Sequence, residues 1–95
     1  MAESVARVPT GQPERYIKQL VSHLGHRAST ELLADGQGVV RVDAGQCTLT
    51  AAPDGLILRA SADGAEGLAR VQDVVGRHLE RFGAREGLHV EWSTA

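Results

Sequence analysis

The side chains able to do chemistry are few, and imidazoles stand out among them. His23 and His26 are three residues apart at the end of a helix-patterned segment. Residues at that spacing share a helix face, so two imidazoles there can approach one metal ion. The plainer reading makes them cationic partners of the negative helix end. His78 falls within the apolar stripe of a second helix-patterned segment, three residues after Val75. It becomes a third ligand if both helices pack on one face with matching ends; otherwise it is a partly buried histidine hydrogen-bonded to a neighbouring carbonyl or carboxylate. Cys47 follows a glycine-containing turn. It is either a thiolate ligand or redox thiol, or a small buried hydrophobe. Together His23, His26, Cys47 and His78 form the candidate metal set, with iron, zinc or haem as the cofactors such a set would take.

The cationic side chains fall into two groups. Arg15, Lys18 and Arg27 form the first and are the candidate site for an anion or an acidic partner. Arg77, Arg81 and Arg85 form the second, with Arg77 and Arg81 four residues apart on one helix face. For both groups the alternative is a solvated helix surface. Tyr16 reads as a core-edge residue with its hydroxyl in water. The sequence holds no zinc-type cysteine pair, no glycine-rich phosphate loop and no spacing that completes a nucleophilic triad. No catalytic residue is assigned, and a small-molecule enzyme is the least favoured of the functional classes.

The elements that must position these groups follow from periodicity and punctuation. Ser4–Val8 reads as a short strand, placed at an edge by Pro9. Thr10 or Gln12 is the expected cap of a helix that starts at Pro13. Ile17, Leu20, Val21 and Leu24 form its buried stripe, and Gly25 stops it. Thr30–Ala34, Gly38–Val42, Gln46–Ala51 and Leu56–Ala62 alternate as strands, divided by Asp35-Gly36, Asp43-Ala44-Gly45 and Pro53-Asp54-Gly55. Asp63 and Glu66 have the spacing of a capping box. Leu68, Val71, Val75, Leu79 and Phe82 follow at helical period, and Gly83 stops the second helix. Asp73 and Arg77 are set to pair on its outer side. Leu88–Trp92 alternates as a final strand. The expected fold is α+β: an antiparallel sheet of five to six strands with two helices on one face, in the order β-α-β-β-β-β-α-β.

Ninety-five residues suit one domain, taken as 1–95 with residues 1–3 and 94–95 frayed. Aromatic residues make up 3% of the chain, so Leu, Val, Ile and Ala must build the core, and a homodimer is expected to bury more surface. A net charge of −2 supplies no field for a polyanion, which argues against a nucleic-acid partner. No apolar run is long enough for a membrane span or a secretory signal, and one cysteine suits a reducing compartment. The expected location is the cytoplasm.

Several motifs together resemble one bacterial family. Pro13-Glu14-Arg15-Tyr16-Ile17-Lys18-Gln19-Leu20 with His23-Leu24-Gly25-His26-Arg27 is similar to the N-terminal signature of domain-of-unknown-function family 2218 (DUF2218). Gly45-Gln46-Cys47, Val74 through Phe82, and the ending from Arg85-Glu86 to Trp92 match as well. The family pattern more often has an aromatic at the position of Leu24 and a larger residue at Gly83. The resemblance implies a link to iron and siderophore handling, since relatives occur beside or fused to siderophore-interacting flavin reductases, and the favoured reading of the chain is a non-enzymatic accessory or binding module. The resemblance thereby names such a reductase as an expected partner, and transfers no catalytic residue.

Overall fold

The computed structural model describes residues 1–26, 28–43 and 45–94. Among them the chain runs β1 (Ala2–Pro9), α1 (Pro13–Leu24), β2 (Ser29–Leu32), β3 (Gly38–Val42), β4 (Gly45–Ala52), β5 (Gly55–Ala62), α2 (Ala65–Phe82) and β6 (Ser93–Thr94), with a short 3-10 turn at Ala84–Glu86. The strands form one antiparallel sheet in the order β2-β3-β4-β5-β1-β6. This is the α+β architecture expected from the sequence, two helices included.

Register explains the core. Because side chains alternate across a strand, each cross-strand row presents one face. Gly38, Leu49, Leu58 and Ala6 make one inward row, and Val40, Cys47, Ala60 and Ser4 make the next. The helices close this face with Ile17, Leu20 and Leu24 from α1 and Val71, Val75 and Leu79 from α2, all fully buried. Ser4, the buried polar residue of the inner face, accepts a hydrogen bond from Gln72 Nε2 at 2.7 Å. Its hydroxyl therefore costs little to bury.

Local chemistry sets the boundaries. Pro13 occupies the first turn of α1, and Thr10 Oγ1 accepts the Gln12 N–H at 3.2 Å, so Gln12 is the cap residue without a capping side chain. At the β2–β3 turn Gly36 takes a φ of 91°, a conformation that disfavours a side chain. The Asp43-Ala44-Gly45 turn lies partly outside the described residues, and in it Asp43 takes the positive φ, 51°.

Four expectations are corrected. The first strand is not an edge: β1 lies between β5 and β6, although β6 covers only Ser4 and Val5. Ala2 and Glu3, expected to fray, pair with Ala62 and Ser61. The capping box does not form, because Gly64 rather than Asp63 is the cap residue of α2 and no side-chain cap bond is present. Finally, Leu88–Trp92 is not a strand. The alternation is real, with Val90 buried and Leu88 and Trp92 half-buried, but these side chains pack against the core around α2. The Val90 N–H donates to Glu80 Oε2 at 2.9 Å, so a side chain takes the place of a strand partner. Leu88 also explains Gly83, since a Cβ there would stand 2.2 Å from Leu88 Cδ1. The leucine fills the space that a larger residue at 83 would take.

Among the described residues, no helix is long and apolar enough to cross a membrane.

Candidate functional site

Packing of α1 and α2 on one sheet face brings their last turns together. His23 lies in the last turn of α1. Val74, His78 and Phe82 follow one another at i,i+4 on α2, and Arg77 and Arg81 do the same on the adjoining strip. The His23 and His78 ring centroids are 5.2 Å apart, with the planes tilted by 48°. The Phe82 ring meets His23 edge-on at 5.1 Å and lies 6.5 Å from His78. Phe82 itself is anchored on the core. The apolar ring thus orients His23, while a hydrogen bond orients His78.

That bond joins His78 Nδ1 to the Val74 carbonyl at 2.6 Å. A carbonyl oxygen only accepts, so Nδ1 carries the proton. In the neutral ring Nε2 then holds the free lone pair.

A groove of about 660 Å³ opens here, lined by His23, Arg77, His78, Glu80 and Arg81. Its volume is that of a small-molecule site. Basic residues belong at this position, since the C-terminal ends of helices carry partial negative charge. Asp73 engages Arg77 Nε at 2.7 Å, the predicted i,i+4 pair. Glu80 faces the other way as well, accepting from the Val90 N–H and lying 3.4 Å from His89 Nδ1. His89 in turn lies 3.4 Å from Glu91.

A second anchor fixes the helices at the far end of α1. The Tyr16 hydroxyl donates to Glu86 Oε1 at 2.5 Å, Thr10 Oγ1 donates to Glu86 Oε2 at 2.9 Å, and Gln12 Nε2 reaches Oε1 at 3.5 Å. The Tyr16 pKa is raised by its bond to the Glu86 carboxylate and, secondarily, by burial. The hydroxyl expected in water is therefore bound to a carboxylate just past the end of α2.

The proposed site residues separate accordingly. His23 and His78 come together. His26 is exposed beyond Gly25, and among the described residues no group of three His, Cys, Asp or Glu side chains converges as a metal site. Cys47 is fully buried in the middle of the sheet, where loss of solvation pushes its thiol up to about 12. It is therefore remote in character from an open ligand site. Arg15 donates to Gln12 Oε1 at 3.0 Å on the exposed side of α1, and Lys18 is exposed beside it. Neither lines the groove, and Arg27 lies outside the described residues. The reading of the residues missed Phe82 as a partner of both histidines and Glu86 as a hub. The i,i+4 spacing of His78 and Phe82 was the available signal for the first; nothing local pointed to the second.

The fold defines a two-layer α+β protein, two helices on one face of a six-stranded antiparallel sheet, whose helix ends carry a groove of imidazole and guanidinium groups. The chain belongs to the family described as uncharacterized protein conserved in bacteria (DUF2218), whose model matches residues 5–93. It is similar to a protein from Pseudomonas aeruginosa, PA4090, whose structure was solved by NMR. The two share 31% identity over 98% of this chain and 96% of that one, with a TM-score of 0.80. No curated protein matches the sequence.

Proposed function

We propose that this protein is a non-enzymatic binding module that holds a small anionic ligand in the groove between the ends of α1 and α2, as an accessory to iron and siderophore handling. The observation that carries the reading is the lining itself. Two guanidiniums and two imidazoles line one ligand-sized groove beside Glu80, with Arg77 paired to Asp73 and Phe82 behind the imidazoles. Arginine forks match carboxylate and catecholate oxygens. A siderophore is an oxygen-rich anion, so the association with iron handling and the chemistry of the groove agree. A cytoplasmic setting belongs with this reading, as does a partner, a second copy of the chain or a siderophore-interacting flavin reductase, on the sheet face that the helices leave uncovered.

Calorimetry with citrate and 2,3-dihydroxybenzoate, each free and as its ferric complex, tests the proposal. One site per chain is expected for at least one of these probes. Charge-assisted hydrogen bonds contribute about 1.5–3 kcal/mol each, so the Arg77→Gln/Arg81→Gln double variant should bind at least about tenfold more weakly. The Arg15→Gln/Lys18→Gln variant should bind like the parent. Equal affinity in the parent and the Arg77/Arg81 variant would sink the reading.

A further inference from the structure

We infer that His23 and His78 are a two-imidazole site for a divalent first-row transition-metal ion, with its remaining coordination positions open to an oxyanion. The inference rests on the groove of the proposed function and uses its two imidazoles, while bare-ion uptake and anion binding are read out separately.

Three observations carry it. Two imidazoles bound through nitrogen to one tetrahedral ion, at metal–nitrogen distances of about 2.0–2.1 Å, have centroids about 5 Å apart. The rings of His23 and His78 are 5.2 Å apart and not stacked. Second, the His78 Nδ1–H donates to the Val74 carbonyl at 2.6 Å. Metal-bound histidines characteristically hold their second nitrogen this way, which fixes the ring and leaves Nε2 basic. Third, Phe82 packs edge-on against His23, restricting that ring from the core side while the groove leaves the other side open.

The surroundings then specify what completes the coordination. No third histidine, cysteine or carboxylate joins the pair among the described residues. Glu80 lines the groove, and its Oε2 accepts from the Val90 N–H and lies beside His89. A metal held by two imidazoles is coordinatively unsaturated, so water or an oxyanion must fill the rest. Arg77 and Arg81 oppose a bare dication and favour one that carries negative oxygen ligands. The site is thus suited to a metal arriving with an anionic chelator, not to a permanently closed structural ion.

Cobalt(II) is the probe, added alone to purified, metal-free protein. Visible absorption should report one bound ion per chain. Paramagnetic broadening in the spectrum of the parent protein should centre on His23 and His78, and this readout needs no variant. His23→Ala and His78→Ala should each weaken binding at least about tenfold, while His26→Ala and His89→Ala should leave it within twofold. Arg77→Gln/Arg81→Gln should retain or strengthen uptake of the bare ion even where it abolishes anion binding. No uptake at millimolar cobalt, or uptake indifferent to His78→Ala, would overturn the inference, even with anion binding intact.

Discussion

Alanine in place of Leu58 is expected to lower the free energy of unfolding by about 2–5 kcal/mol. Leu58 is fully buried at the middle of β5, between Leu49 of β4 and Ala6 of β1 in the inward row. Its neighbours are buried aliphatic side chains, so the gap fills only as far as they can shift. The ladders on both sides of β5 also hold the backbone against collapse. A domain of this length has a total stability of about 5–14 kcal/mol, so the loss is a large share of the whole. At about 4–8 °C per kcal/mol, the thermal midpoint should fall by roughly 8–40 °C. Circular dichroism melting measures this directly. A fall of less than about 5 °C would show that the two layers close over the gap and that the core is far more plastic than its register implies.

The second large effect concerns Cys47. Its side chain is fully buried between Val40 and Ala60 in the adjacent row, and burial holds the thiol in its neutral form, with its pKa pushed up to about 12 from an ordinary 9.0. A disulfide reagent attacks only the thiolate and only where it can reach, so labelling must wait for the protein to open. At pH 8 the folded protein should react at least about a thousandfold more slowly than the same protein in denaturant. The raised value also has a consequence for stability. A group that keeps its proton longer in the folded state contributes full stability below its unfolded pKa. That contribution is lost as pH rises from 9.0 to about 12. The loss is of order 4 kcal/mol at 1.36 kcal/mol per unit, and the raised Tyr16 acts in the same direction. Cys47→Ala should flatten the alkaline fall in denaturation midpoint. Rapid labelling of native protein would place Cys47 at the surface and reopen its candidacy as a ligand.

Much of the fold was legible because the strongest signals are local. The stripes Ile17, Leu20, Leu24 and Val71, Val75, Leu79 record which helix faces are buried. The alternation of Val40, Cys47, Leu49, Leu56, Leu58 and Ala60 records the inner face of the sheet. The failures share a cause. Alternation over Leu88–Trp92 reports burial on one side, but it says nothing of what binds the backbone, and there Glu80 takes the Val90 N–H. The Asp63–Glu66 spacing satisfies a capping pattern, yet the chain enters α2 through extended Gly64. Strand order is non-local too, so β1 could not be distinguished from an edge by Pro9 alone.

The candidate site was legible by residue type and illegible by grouping. His23-x-x-His26 is adjacent in sequence, but His26 falls past the end of α1, and the true neighbour of His23 is His78 on the other helix. Arg15 and Lys18 look like an anion site by charge alone, whereas the arginines that line the groove are Arg77 and Arg81. Only helix packing decides which side chains share a groove, and helix packing is fixed by contacts such as Tyr16–Glu86 that no spacing announces.

On the proposed function, the ligand binds in the groove between the helix ends. The most direct test is a nitrogen–proton correlation spectrum of the four imidazoles and the arginine side chains, recorded while citrate is added to metal-free protein. Saturable, one-to-one shifts at His23, His78, Arg77 and Arg81, with His26 and His89 still, are the result predicted here. Shifts centred on Arg15 and Lys18, or none at any of the groove residues, would contradict it.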